Sequence, residues 1–217
     1  AALILLLGER AKPGGAAPIS PNWSDSRTWE LGLWLAGSIA VFFSINAYMD
    51  TTLAARGNGT WLGPLIVAYN ATSLLASLAM LWWKTAWLGR RAPIVIAGIA
   101  SAVGMLGFGF VPGPVGYAGA LVAGFAASLQ LILIMSLPPV VTEETNVARL
   151  TAGITLVGYL LAFVLPLLGG LLSDTIGGIA MVFIPTAVFI LVLAGLGRND
   201  GRYEEQSSNR GTDLQGG

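Results

Sequence analysis

The 217-residue sequence has no cysteine and no histidine. Without cysteine there are no disulfides, no thiolate metal sites and no thiol nucleophile. Without histidine the usual axial ligand of b-type haem, the commonest metal ligand and the commonest general base are missing too. No other nucleophile and base stand out as a pair, so we expect no enzyme, no catalytic residue, no metal and no cofactor. Charge is also scarce. Eleven basic and eleven acidic side chains make up 10% of the chain and cancel. With no basic-aromatic surface and no phosphate-cradling glycine loop, a nucleic-acid partner is not expected.

What the chain has instead is apolar surface. Hydrophobic residues make up 55% of it and the mean hydropathy is +0.75, which is not the make-up of an ordinary soluble domain. The expected solvent is the lipid bilayer. Six charge-poor runs, 31–53, 61–83, 92–111, 115–140, 150–172 and 179–196, are separated by short polar breaks. At about 1.5 Å per residue, runs of about 20 residues match a hydrocarbon core of about 30 Å. The expected fold class is therefore all-α, a polytopic membrane protein with six transmembrane helices over 31–198.

Residues 1–7 are apolar but too short to cross, and we read them as the end of a preceding helix. Residues 8–30 are rich in Pro, Gly and Ser and suit an interfacial connector, with Trp23 and Trp29 at headgroup level. Residues 199–217 form a polar, Gly/Ser-rich tail expected to be flexible. Arg10, Lys12, Arg27, Lys84, Arg90, Arg91, Arg149, Arg198, Arg202 and Arg210 fall on the connector side, and only Arg56 falls on the other. The positive-inside rule then predicts cytoplasmic termini and residence in a plasma membrane, the inner membrane of a bacterium.

The most informative stretch is 144–178. It opens with Glu144 and Arg149 and carries small residues at Gly153, Gly158 and Ala162. Pro166 and the pair Gly169 and Gly170 follow, and it closes on a glycine turn after Asp174. Small residues admit neighbouring helices, and Pro and Gly are tolerated where neighbours re-satisfy the backbone. The segment Pro166-Leu167-Leu168-Gly169-Gly170 resembles the Pro-x-x-Gly-Gly ending of the fifth helix in a half-bundle of the major facilitator superfamily. Ala148-Arg149-Leu150 followed by Val157-Gly158-Tyr159 is most similar to the cyanate permease branch, in its carboxy-terminal half. Leu165 stands where the fuller family motif has Gly. Between the second and third runs, Gly89, Arg90 and Arg91 match the Gly-Arg-Arg ending of the family's inner loop, and Ala86 stands where the family has an acid. A gating clamp there would borrow its acid from Glu143 or Glu144. The other reading of the arginines is as positive-inside anchors.

The resemblance implies half of a major facilitator fold, a 3+3 inverted repeat, although the two triples show no residue-level symmetry. Such a half would rock against an amino-terminal six-helix half around a cavity near the bilayer midplane, lined by the first, second, fourth and fifth helices. Polar groups at membrane depth need a partner or a purpose. Asn46, Tyr69, Asn70, Gln130 and Tyr159 lie nearest their span centres on those same four helices, and together they suit a pocket for a small polar or anionic solute. Taken singly, each also suits interhelical hydrogen bonding. Asp50 lies toward the outer end of the first run. No Glu, Lys or Arg lies near a span centre, so no proton relay is expected from these residues, and an anionic solute would need a positive partner from elsewhere. Gly116, Ala120, Gly124 and Ser128 in the fourth run, and Gly98, Ala102, Gly104 and Gly107 in the third, form smooth packing faces.

The expected function is thus the carboxy-terminal half of a secondary transporter working by alternating access. Asp50, Gly89, Arg90, Arg91, Glu144, Arg149, Gly158, Pro166, Gly169 and Gly170 would be its gating or shaping residues. Its partners would be a small-molecule solute, the lipid bilayer, and an amino-terminal half or another membrane subunit. The alternative is a non-transporting six-helix subunit that helps to assemble a larger membrane complex.

Overall fold

A computed structural model describes residues 20–87 and 90–196. All regular structure among them is helical: α1 Ser26–Ala55, α2 Leu62–Trp87, α3 Arg91–Phe110, α4 Pro114–Met135, α5 Glu144–Ile176 and α6 Ile184–Leu196. Short 3-10 turns at Gly59–Trp61 and Ile179–Phe183 lead into α2 and α6, and a one-turn helix, Pro138–Val141, follows α4. The six segments are long and apolar enough to cross a membrane, so this is an all-α, multi-pass membrane protein. The segments 1–19 and 197–217, which hold most of the connector and all of the tail, lie outside the described residues.

The helix boundaries have local causes. α1 starts five residues before the apolar run because Asp25 caps it, its carboxylate accepting a hydrogen bond from the Arg27 amide at 2.9 Å. The fourth run breaks at 136–137, where the sequence predicts a continuous helix to 140. Pro138 and Pro139 supply no N–H to the carbonyls one turn back, which interrupts the hydrogen-bond ladder there. α5 extends a turn or more beyond its apolar run at both ends and stops at Gly177 and Gly178, whose φ values of +86° and +96° suit glycine.

α1 is the central helix, with Leu35, Ile45, Met49 and Leu53 wholly buried. It runs parallel to α5, and small residues set the spacing between them. A Cβ at Gly32 would meet Val157 at 2.8 Å, one at Gly153 would meet Thr28 at 2.6 Å, and one at Gly158 would meet Leu35 at 2.6 Å. The α3–α4 hairpin is closer still, because there backbone faces backbone. A Cβ at Gly104 would lie 2.6 Å from the Gly119 carbonyl oxygen, and one at Gly119 would lie 2.7 Å from the Gly104 carbonyl oxygen. At the end of the bundle away from Arg90 and Arg91, Arg56 holds this hairpin down. Its guanidinium donates to the carbonyls of Phe108, at 2.8 Å, and Gly109, which are acceptors left open at the C-terminus of α3.

The outward faces are apolar. Leu74, Leu78 and Trp82 on α2, Leu160, Leu167 and Leu171 on α5, and Val188 and Leu196 on α6 are all exposed. Hydrocarbon tails match such faces, and each helix satisfies its own backbone.

The reciprocal glycine contact gives a direct test. Gly104→Leu should cost about 1–3 kcal/mol, the usual range for forced overpacking. Gly63→Leu, at a site with nothing within 4 Å of the added Cβ, should stay within about 0.5 kcal/mol of the parent. Unfolding midpoints in detergent, read by size-exclusion retention after heating, separate the two.

Candidate functional site

Asn46 of α1 and Asn70 of α2, 24 residues apart in sequence, begin a polar strip that the fold gathers onto one face. The Asn70 amide donates to the Asn46 side-chain oxygen at 3.2 Å, and each amide also donates to the carbonyl one turn back in its own helix, Ile66 and Phe42. Closer to mid-membrane the strip becomes a half-open cleft of about 350 Å³. α1 contributes Ser38, Phe42 and Phe43, α2 contributes Ser73 and Ser77, α4 contributes Ser128, and Tyr159 of α5 stands at its edge. Ser38, Ser73, Ser128 and Tyr159 all lie in the middle third of their helices. The volume falls in the range of small-molecule sites, about 300–1,000 Å³.

The cleft is mostly apolar with a few hydroxyls. Ser73 and Ser128 share a hydrogen bond at 2.8 Å across α2 and α4. Ser77 donates to the Ser73 carbonyl at 2.9 Å, and Ser38 donates to the Ala127 carbonyl at 2.7 Å, joining α1 to α4. No charged side chain lines it. Such a lining offers hydroxyl donors and acceptors and aromatic walls, and it provides neither a general base nor a counter-ion.

The expected pocket residues separate. Tyr159 is exposed at the cleft, and Asn46 and Asn70 pair on the same side beyond it. Tyr69 is wholly buried behind the cleft wall, its ring stacked on Phe42 at 5.5 Å between centroids and packed against Gly124. Gln130 is wholly buried and points the other way, its amide nitrogen beside Gly98 of α3, where Trp34 and Ile190 also pack. About 200° of helical rotation separates position 130 from position 128, and this accounts for the split. Neither the Tyr69 hydroxyl nor either Gln130 amide atom has a hydrogen-bond partner among the described residues. The serines carry the cleft, and the sequence signal for them is the stripe Asn70, Ser73 and Ser77, spaced three and four apart on one helix face.

The gating set is likewise distributed. Arg91 pairs with Glu30 of α1 at 3.0 Å, so α1 supplies an acid that the sequence reading sought in Glu143 or Glu144. Glu143 is exposed and the Glu144 side chain and Gly89 lie outside the described residues. Arg90 is exposed, and Arg149 donates to the Ser20 carbonyl at 3.1 Å. Asp50 is exposed toward the C-terminal end of α1. α5 runs unbroken through Pro166, Gly169 and Gly170. The Tyr48 hydroxyl donates to the Pro166 carbonyl at 3.1 Å, and a Cβ at Gly170 would come within 2.7 Å of that hydroxyl. At Gly169 a Cβ would overlap the Val182 carbonyl of the turn before α6.

Comparison with protein-family models, with curated proteins and with solved structures gives no match.

The Gln130 amide offers a test of what is structural. A buried amide without partners is a cost, so Gln130→Leu, close in volume, should raise stability by about 1–3 kcal/mol. A thermal midpoint that falls instead would show that Gln130 has polar partners worth keeping.

Proposed function

We propose that this chain is a six-helix transporter half of the major facilitator type, similar to the carboxy-terminal half of the cyanate permease branch, and that the serine cleft is its share of a solute pathway. The observation that carries this reading is the placement of polarity. The hydroxyls of Ser38, Ser73, Ser77, Ser128 and Tyr159 collect on one face from α1, α2, α4 and α5, the four helices that the family resemblance assigns to a cavity. α2 and α5, on either side, present exposed Leu75 and Phe163 that an amino-terminal half would cover. The solute is a small molecule that hydrogen-bonds to hydroxyls and packs on aromatic rings. An anionic solute takes its counter-charge from the opposite half, since this cleft has none. The bundle rocks as a unit in a bacterial inner membrane with its Arg-rich end in the cytoplasm.

Features of α5 fit this motion. Tyr48, Gly169 and Gly170 hold the helix between α1 and the turn before α6, so the half moves as one body and no hinge is needed at Pro166. The alternative, a non-transporting assembly subunit, predicts polar residues paired in a dry interior. Here Asn46 and Asn70 do pair, but at an exposed surface beside an open cleft.

The absence of cysteine makes a clean experiment available. Single variants Ser128→Cys and Tyr159→Cys should react with a membrane-impermeant maleimide added from either side of oriented vesicles, because a cleft that alternates is wetted from both faces and only a wetted thiol ionises to react. Val188→Cys, on the outer face of α6, should stay silent. Labelling of Ser128→Cys from one side only would point to a static cleft and the assembly reading, and silence from both sides would sink the transport reading.

A further inference from the structure

A different face of α4, together with α3, encloses a second depression of about 460 Å³. Pro93, Ala97 and Ala100 form one wall and Ala126 and Leu129 the other, with Arg90 at the mouth. Alanines make the trough, and the rim residues Ile96 and Val122 are 67% and 51% exposed, so no other described helix covers it. From Arg90 to Ala100 is about 15 Å of helix, half of a hydrocarbon core of about 30 Å. The groove therefore runs from the Arg-rich end of the bundle to the midplane, the depth of a single leaflet.

The charge at its mouth is specific. Of the two adjacent arginines, Arg91 turns inward to Glu30, whereas Arg90 is exposed and makes no ion pair among the described residues. No acidic residue occupies the first turn of α3. A cation at interface depth, on an apolar trough one leaflet deep and open to the bilayer, is complementary to an acyl chain carrying a negatively charged head.

We infer that the α3–α4 groove binds one anionic phospholipid, with an acyl chain between the alanines and its phosphate on Arg90. The second arginine of the Gly-Arg-Arg sequence then works inside the bundle and the first works outside it. Arg90 is a lipid ligand rather than half of a gating clamp, and this assignment holds whatever the serine cleft carries.

The test is native mass spectrometry of the full chain, purified in mild detergent and given an equimolar mixture of phosphatidylglycerol and phosphatidylcholine with identical acyl chains. The parent should retain phosphatidylglycerol preferentially as a single adduct. Arg90→Gln should reduce that preference about fivefold, the worth of one basic residue beside an anionic headgroup. Ala100→Phe keeps the charge but fills the trough, and it should lose the adduct of either lipid while the thermal midpoint stays near that of the parent. Equal retention of the two lipids by the parent, an unchanged preference in Arg90→Gln, or full binding by a stably folded Ala100→Phe would each overturn the assignment. So would a protein dimer that forms through this face and excludes lipid.

Discussion

Hydrocarbon offers no hydrogen bonds, and that constraint shapes the whole bundle. Every backbone N–H and C=O at membrane depth must be satisfied within the protein, which leaves helices as the only economical element for this chain. Because lipid tails are as apolar as leucine, the helices gain little from hiding apolar surface against one another and must be held by close contact instead. The glycines supply that closeness. Gly104 and Gly119 bring the α3 and α4 backbones together, and Gly153 and Gly158 let α1 side chains sink against α5. Where a helix ends, the same constraint reappears as open carbonyls. Arg56 meets it at the C-terminus of α3, and Arg27 meets it at the opposite end of the bundle by donating to the Val141 carbonyl at the end of the one-turn helix.

Pro166 is where a constraint of this kind would be expected to fail, since a proline deletes a donor within a span. α5 nonetheless continues through it. Tyr48 and Val182 approach from opposite neighbours onto the turn that Gly169 and Gly170 leave bare, so the loss of a donor coincides with the tightest docking of α5. A Pro-x-x-Gly-Gly ending thus reads physically as a packing device: the proline loosens one ladder bond, and the glycines convert the space into contact with two other helices.

The fold was legible in the sequence because its signal is one-dimensional. Apolar length, charge-free runs and prolines at 138 and 139 depend on order along the chain, and only helix ends escaped, where Asp25 or an interfacial turn adds residues that hydropathy does not weigh. The site was less legible because it depends on rotation about each helix axis, which a uniformly apolar span conceals. Gln130 and Ser128 are two residues apart, yet one is buried against α3 and the other faces the cleft. Reading polarity by strength favoured Asn, Gln and Tyr. Reading it by spacing would have favoured Ser73 and Ser77 with Asn70, whose three-and-four spacing marks a face whatever the size of the side chain.

The same contrast between strength and placement explains the arginines at the start of α3. By composition Arg90 and Arg91 are equivalent, and both satisfy a positive-inside count. In the fold they diverge because α3 begins between them: Arg91 is its first residue and Arg90 the cap. One rotation step carries Arg91 toward α1, where Glu30 waits at 3.0 Å, and leaves Arg90 on the outer surface. An ion pair at that depth is worth having chiefly because it spares the bundle an uncompensated charge. Arg90 has no such relief within the described chain, and so its charge is presented to whatever lies at the membrane surface. Two neighbouring residues of identical chemistry thereby receive different work from the position of a single helix start.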